Sequence, residues 1–184
     1  MEIQELSKSG QYERLSSNDY FSNIALLISQ RSTCPRLHVG ALIVKNGEIL
    51  STGYNGAPKG QPHCMDAGCI IEDGHCIRAI HAEQNAIIQL GHTIQNNDIG
   101  ELEMYVTDYP CKICAKMIVQ AGIKKIHFVR RYSNSVHDEY TQKLFETSGI
   151  KIINYYPKKR MFLGTFNENT KKKIRDIISN DNEE

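Results

Sequence analysis

The sequence predicts an α/β fold, a three-layer α/β/α domain built on a mixed five-stranded sheet. Three observations predict it. Two apolar runs, residues 39–44 and 49–54, flank Lys45, Asn46, Gly47 and Glu48, and Asn-Gly is the dipeptide of a tight antiparallel hairpin turn. Three more strand-like runs follow, at 101–107, 124–129 and 150–155, each preceded by a segment of helical periodicity. A hairpin feeding such alternating units implies parallel strands joined by crossover helices, with helices on both faces of the sheet.

Residues 1–16 read as a flexible leader. Ser17, Asn18 and Asp19 can cap a helix over 17–31, in which Tyr20, Phe21, Ile24, Leu27 and Ile28 recur at helical spacing. Cys34-Pro35 lies beyond its end, since the residue before a proline avoids the helical region. After the hairpin, residues 55–77 are rich in Gly, Pro, Cys and His, and are too long for an idle connection in a compact domain. A helix from about Ala79 to a stop at Gly91 carries His81, Glu83, Ala86, Ile87 and Leu90. Another runs from Cys111 to Gln120 and ends at Gly122. A third covers 136–148 with Tyr140, Leu144 and Phe145 inward. Residues 17–157 form the domain, and 158–184 a charged tail with a short helix at 168–179.

The chain has 184 residues, 40% hydrophobic and 23% charged, which suits one domain with a sizeable core. Its net charge of +1 carries no basic excess, so a nucleic-acid binder is not expected, and Lys171, Lys172 and Lys173 read as a solvated helix face. The first ten residues lack the apolar core of a secretory signal, and no apolar run approaches the roughly 18 residues of a membrane span, so the expected location is cytoplasmic. The six cysteines are interleaved with histidines, which favours metal ligation in a reducing compartment over a disulfide framework.

Two short stretches carry chemistry. His81 stands two residues before Glu83, and Cys111 and Cys114 lie one helical turn apart after Pro110, so the two thiols can converge on one ion. Three protein ligands (His81, Cys111, Cys114) leave the fourth tetrahedral position of a zinc ion to water, whose pKa the metal brings towards neutrality. Glu83 is then available to move protons. This H-x-E…P-C-x-x-C pattern is the signature of the zinc-dependent nucleobase deaminases. Cys34, Cys64, Cys69, His75 and Cys76, with His63 beside Cys64, suggest a second, closed zinc site that fastens the 55–77 loop. His38, His92, His127 and His137 read as structural or solvated.

With Gly53-Tyr54-Asn55-Gly56 and the block from Ile80 to Ile87 both in view, the chain resembles the deoxycytidylate (dCMP) deaminases. The resemblance runs from about Asn18 to Pro157. It includes Arg31-Ser32-Thr33-Cys34-Pro35-Arg36, Val39-Gly40-Ala41, Pro110-Cys111-Lys112-Ile113-Cys114 and Ile118 to Lys124, and it is nearest to a bacterial branch that also contains late-competence proteins. It implies a cytidine-deaminase-like fold that hydrolyses dCMP to dUMP and ammonia for thymidylate synthesis, with zinc on His81, Cys111 and Cys114 and Glu83 as proton shuttle. It implies that Asn55 contacts the sugar or base and that Tyr132 lies near the phosphate. It further implies dCTP as activator and dTTP as inhibitor at an effector site including Gly53, Tyr54, Asn55 and Gly56, with Mg2+ accompanying a triphosphate, and a homo-oligomer, typically a hexamer. The family pattern favours Cys34 and Cys64 in the second zinc site, completed by Cys69 and Cys76, with His75 as the alternative ligand. Two other functions compete. One is deamination of another cytosine or adenine substrate, in tRNA, a free nucleoside or a riboflavin precursor. The other is a competence-associated role in DNA uptake without catalysis.

Overall fold

The computed structural model describes residues 14–72, 75–93, 101–131 and 138–158. In chain order these form α1 (Ser17–Ser29), β1 (Gly40–Lys45), β2 (Glu48–Tyr54), α2 (Cys64–Ala67), β3 (Ile71–Glu72), β4 (His75–Cys76), α3 (Ala82–Thr93), β5 (Leu102–Asp108), α4 (Lys112–Gln120), β6 (Ile123–Arg130), α5 (Asp138–Thr147) and β7 (Lys151–Asn154). Five strands make the main sheet in the order β2-β1-β5-β6-β7. β1 pairs antiparallel with β2 and with β5, and β5-β6 and β6-β7 are parallel, so the sheet is mixed as the pattern predicts. The hairpin turn has positive φ at both central residues, 51° at Asn46 and 82° at Gly47, the backbone that suits Asn-Gly.

The layers follow from the period-two alternation of the strands. One face presents Ala41, Ile43, Leu102, Met104, Val106, Ile123, Ile126 and Phe128 to Ala82, Ala86 and Leu90 of α3, Ala115 and Ile118 of α4 and Phe145 of α5. The other presents Leu42, Val44 and Tyr105 to Phe21 and Ala25 of α1. Two glycines set how closely helices seat on the sheet. A Cβ on Gly40 would lie 2.2 Å from Ala25 O and 2.5 Å from Ser29 N. A Cβ on Gly53 would lie 2.2 Å from Ala82 O and 2.5 Å from Ala86 N. Only hydrogen fits at such distances.

Several expectations are corrected. Of the α1 stripe, Phe21 is buried and Ile24 and Ile28 pack against its cluster, but Tyr20 and Leu27 are exposed, and Asp19, Ser22, Asn23, Ala25, Leu26 and Ser29 are buried besides. The close approach at Gly40 draws in the small residues Ala25 and Ser29. α3 starts at Ala82, not Ala79, because Ile80 N–H and C=O both pair with Gly56 and hold the preceding chain extended. It also runs past Gly91 to Thr93. In α5, Thr141 takes the buried position and Tyr140 faces outward. The 55–77 loop is not structureless: it carries α2 and the two-stranded ribbon β3-β4.

Candidate metal centre and active site

The first cluster forms where two helices begin. His81 immediately precedes α3, and Cys111 is the N-cap residue of α4, with extended φ −72° and ψ 166°. Gln84 Oε1 accepts the His81 backbone N–H at 2.8 Å, the return arm of a capping box, and so fixes the ligand's backbone. Ser51 Oγ donates to Ala86 O at 2.8 Å and Asn85 Nδ2 to Tyr54 O at 2.8 Å, and these bonds tie α3 to β2.

His81 Nδ1 lies 3.6 Å from Cys111 Sγ and 3.4 Å from Cys114 Sγ. A tetrahedral zinc with Zn–N and Zn–S bonds of ordinary length separates its N and S ligand atoms by about 3.6 Å, so the three atoms fit one zinc ion. They lie within 4.8 Å of one another. Cys114 is buried and Cys111 half-buried. Contacts with Cys114 and then with His81 push the Cys111 thiol well below its ordinary range while Cys111 and burial push Cys114 up, which favours a thiolate at Cys111, the form that ligates a metal. Glu83 is 4% exposed and sits beside Cys114. Burial pushes its carboxyl up to about 7 against the pull of His81, with Cys111 and Asp108 adding to the rise.

The second cluster joins Cys64 at the start of α2, Cys69 after it and Cys76 in β4, their sulfurs within 4.8 Å of one another. Cys64 Sγ and Cys76 Sγ are 3.7 Å apart, close to the roughly 3.8 Å edge of a tetrahedral zinc–thiolate site. Burial pushes the Cys64 thiol up to about 12. Burial also raises Cys76, but backbone N–H groups of Arg78, Ala79 and Ile70 and the Cys64 thiol outweigh it and bring Cys76 down to about 7. Backbone amides converging on a sulfur make a seat for a thiolate. Cys34 is buried and close enough to influence Cys69 electrostatically, but it stands outside the three-sulfur group. The His75 side chain and Tyr132 lie outside the described residues.

Asn55 is buried, and its side chain already holds backbone: Oδ1 accepts Val39 N–H at 2.8 Å and Nδ2 donates to Leu37 O at 2.8 Å. An amide has two N–H donors and two acceptor lone pairs, so one of each remains. Gly53 is buried against α3, Gly56 is buried against Thr33, and Tyr54 is exposed. The sequence reading did not anticipate the ion pair of Asp108 and Arg130, whose Nη2 and Oδ2 are 2.6 Å apart beside the site. A signal existed: an acid and a base each sit one residue past the ends of two predicted neighbouring strands.

A mixed α/β sheet with one imidazole, two thiols and a buried carboxyl at two helix starts defines the class of deaminase-like metalloproteins. A model of the "cytidine and deoxycytidylate deaminase zinc-binding region" matches residues 15–130, and the chain belongs to that family. Its relatives include the ComE operon protein 2 of Bacillus subtilis (strain 168), 46% identical over 140 residues, covering 76% of this chain and 71% of that protein. The deoxycytidylate deaminase of Schizosaccharomyces pombe is 32% identical over 154 residues, covering 78% of this chain but 45% of that longer protein. The crystal structure of dCMP deaminase from the cyanophage S-TIM5 in complex with dCMP and dUMP superposes with a TM-score of 0.65 at 34% identity, covering 78% of this chain and 100% of that one.

Proposed function

We propose that this chain is a zinc-dependent deaminase that converts dCMP and water to dUMP and ammonia. The observation that carries the reading is the spacing of His81 Nδ1 from the Cys111 and Cys114 sulfurs, which suits three ligands of one zinc ion, with the Glu83 carboxyl buried beside them. The deoxycytidylate deaminases among its relatives, and the dCMP and dUMP in the cyanophage complex, support this substrate. Zinc held by these three residues supplies the Lewis acidity that brings the pKa of a water molecule towards neutrality. Glu83 would take one proton from the attacking water and deliver it to the ring nitrogen next to C4 of cytosine as the water oxygen bonds to C4; it would then take the second proton from that oxygen and pass it to the amino nitrogen, so that the C4–N bond breaks, ammonia leaves and the C4 carbonyl of uracil forms. A carboxyl raised towards neutrality both accepts and donates at physiological pH. Asn55 offers its remaining N–H and lone pair to the sugar or base. Gly53, Tyr54, Asn55 and Gly56 are the element through which dCTP and dTTP would act.

In the same reading a second zinc is structural. Cys64, Cys69 and Cys76 hold it with a fourth ligand from Cys34 or His75, and it pins the loop between β2 and α3. The 46% identical ComE operon protein 2 favours a second function, a competence-associated role without catalysis. An ultraviolet assay of dCMP, CMP, dCTP and deoxycytidine, each with and without dCTP or dTTP, separates the two. Turnover of dCMP in preference to the others, in a preparation carrying two zinc ions per chain, is expected. No turnover of any of them sinks the deaminase reading, and one zinc per chain sinks the second metal.

A further inference from the structure

The four residues leading into β1 are held by side chains from elsewhere, one backbone group each. Asn55 Nδ2 donates to Leu37 O at 2.8 Å, and Arg130 Nη2 donates to His38 O at 3.1 Å. Val39 N–H donates to Asn55 Oδ1 at 2.8 Å, and Gly40 N–H donates to Thr107 Oγ1 at 3.2 Å. Thr107 Oγ1 donates in turn to Asp108 Oδ2 at 2.6 Å, the oxygen that also takes Arg130 Nη2 at 2.6 Å. Residues 37–39 precede the strand; the Val39 carbonyl takes the Asn55 backbone N–H at 3.3 Å, and Leu37 O, His38 O and Val39 N–H are met by these side chains.

The two sides of this grip lead to the two halves of the metal centre. Asn55 is followed by Gly56, whose N–H and C=O pair with Ile80, the residue before His81. Asp108 stands three residues before Cys111 and is close enough to Glu83 to influence it electrostatically. Asp108 and Arg130 are in register at the carboxyl ends of the parallel strands β5 and β6, where open α/β sheets bind ligands. The segment 37–40 therefore spans the gap between the two ligand-bearing stretches. Arg130 spends one nitrogen on both Asp108 and His38 O, so a single guanidinium sets the segment's position relative to the site.

We propose that Arg130 is a positioning residue: paired with Asp108, it clamps residues 37–40 from the side opposite Asn55 and so fixes the wall of the nucleotide pocket. This rests on the deaminase reading above. Arg130 belongs to neither group of potential metal ligands. Its removal should loosen substrate placement, while the metal ligands keep their own supports at Gln84 and the α4 N-cap.

The test uses the full-length protein and the variants Arg130→Met, Arg130→Lys, Asp108→Asn and the double variant Asp108→Asn/Arg130→Met. For Arg130→Met, KM for dCMP should rise about tenfold or more while kcat changes less and zinc content stays at the wild-type level. Amide hydrogen exchange at Val39 and Gly40 should accelerate by about tenfold or more, with Leu42 and Ile43 unchanged. The double variant should lie nearer wild type than Arg130→Met, because it no longer buries an unpaired carboxylate. Arg130→Lys should show the same changes to a smaller degree, and it decides the matter where Arg130→Met does not fold. Unchanged KM together with unchanged exchange at Val39 and Gly40 overturns the clamp, as does joint loss of kcat and zinc. If the wild type turns over no dCMP, the functional reading falls, and the exchange rates alone then decide whether the clamp exists.

Discussion

Glu83 shows how one position acquires two properties at once. At the first turn of α3 it could have been an ordinary solvated carboxylate favoured by the helix dipole. Instead Ala82 and Ala86 on the same helix seat against Gly53, and the carboxyl is drawn into the protein beside Cys114. Burial then raises its proton affinity to the range useful for shuttling. Changing Glu83→Gln keeps the volume and removes the proton transfer. Deamination of dCMP should fall by roughly 10²–10⁴-fold, the usual worth of a positioned acid–base group. Zinc content, measured on the same sample, should not change, because in the proposed site His81, Cys111 and Cys114 would supply the ligand atoms. Loss of zinc with activity would instead make Glu83 a support for the metal. His81 with Glu83, and Cys111 with Cys114, were legible as candidate pairs because each is local in sequence and the composite motif links them, while their meeting depends on the fold, which puts His81 Nδ1 3.6 Å from Cys111 Sγ. Asp108 and Arg130 were not, because their partnership needs the register of β5 against β6.

The elements were legible where a period or a turn residue governs them, and less so where one element must fit another. Asn46-Gly47 fixes the hairpin locally, and one helix between each pair of strands goes with the parallel order β5-β6-β7. The face that α1 buries follows only partly from its own apolar stripe: Phe21, Ile24 and Ile28 turn to the sheet, but Gly40 on β1 draws in the small residues Ala25 and Ser29 while Tyr20 and Leu27 stay exposed. The same logic makes Gly53 a test of the α3 seat. A methyl group there collides with the backbone of Ala82 and Ala86, which cannot move aside as a side-chain tip can. Gly53→Ala should lower the urea midpoint by an amount worth about 1–3 kcal/mol, and should cut activity as well, since α3 carries His81 and Glu83. Gly91 is the contrast: it lies in α3 with nothing within 4 Å of an added Cβ, so Gly91→Ala should stabilise by about 0.4–1 kcal/mol. A Gly53→Ala protein as stable as wild type would mean that α3 does not need this close approach.

Across the whole molecule, the sheet keeps its apolar side for the layer that carries the metal ligands and puts a polar network on the side of α1. Tyr105 stacks on His127 at 4.2 Å and donates to Asn18 Oδ1 of α1 at 3.1 Å, while Glu103 takes Lys125 Nζ at 2.7 Å and lies 3.1 Å from His127 Nε2. Burial pushes the His127 imidazole down, with Lys125 and Lys151 adding to the effect and Glu103 opposing it. Burial pushes Glu103 up, but Lys125 and His127 outweigh it and leave the carboxyl below its ordinary range. Both groups thus bind protons more weakly folded than unfolded, so the unfolded chain takes up more protons on acidification and stability falls with pH. The His127 contribution is complete above the unfolded histidine value of about 6.5 and is lost as pH drops below it; the Glu103 contribution goes at lower pH, as its depressed folded value is passed. The urea midpoint of the wild type relative to His127→Gln should therefore fall as pH drops below about 6.5, whereas the raised Glu83 carboxyl acts in the opposite direction but equally in both proteins. Metal release also titrates in acid, but it is common to both proteins, so the difference between their curves isolates the imidazole. Parallel curves from pH 7 to pH 5 would mean that His127 is no more averse to a proton in the folded sheet than in the open chain.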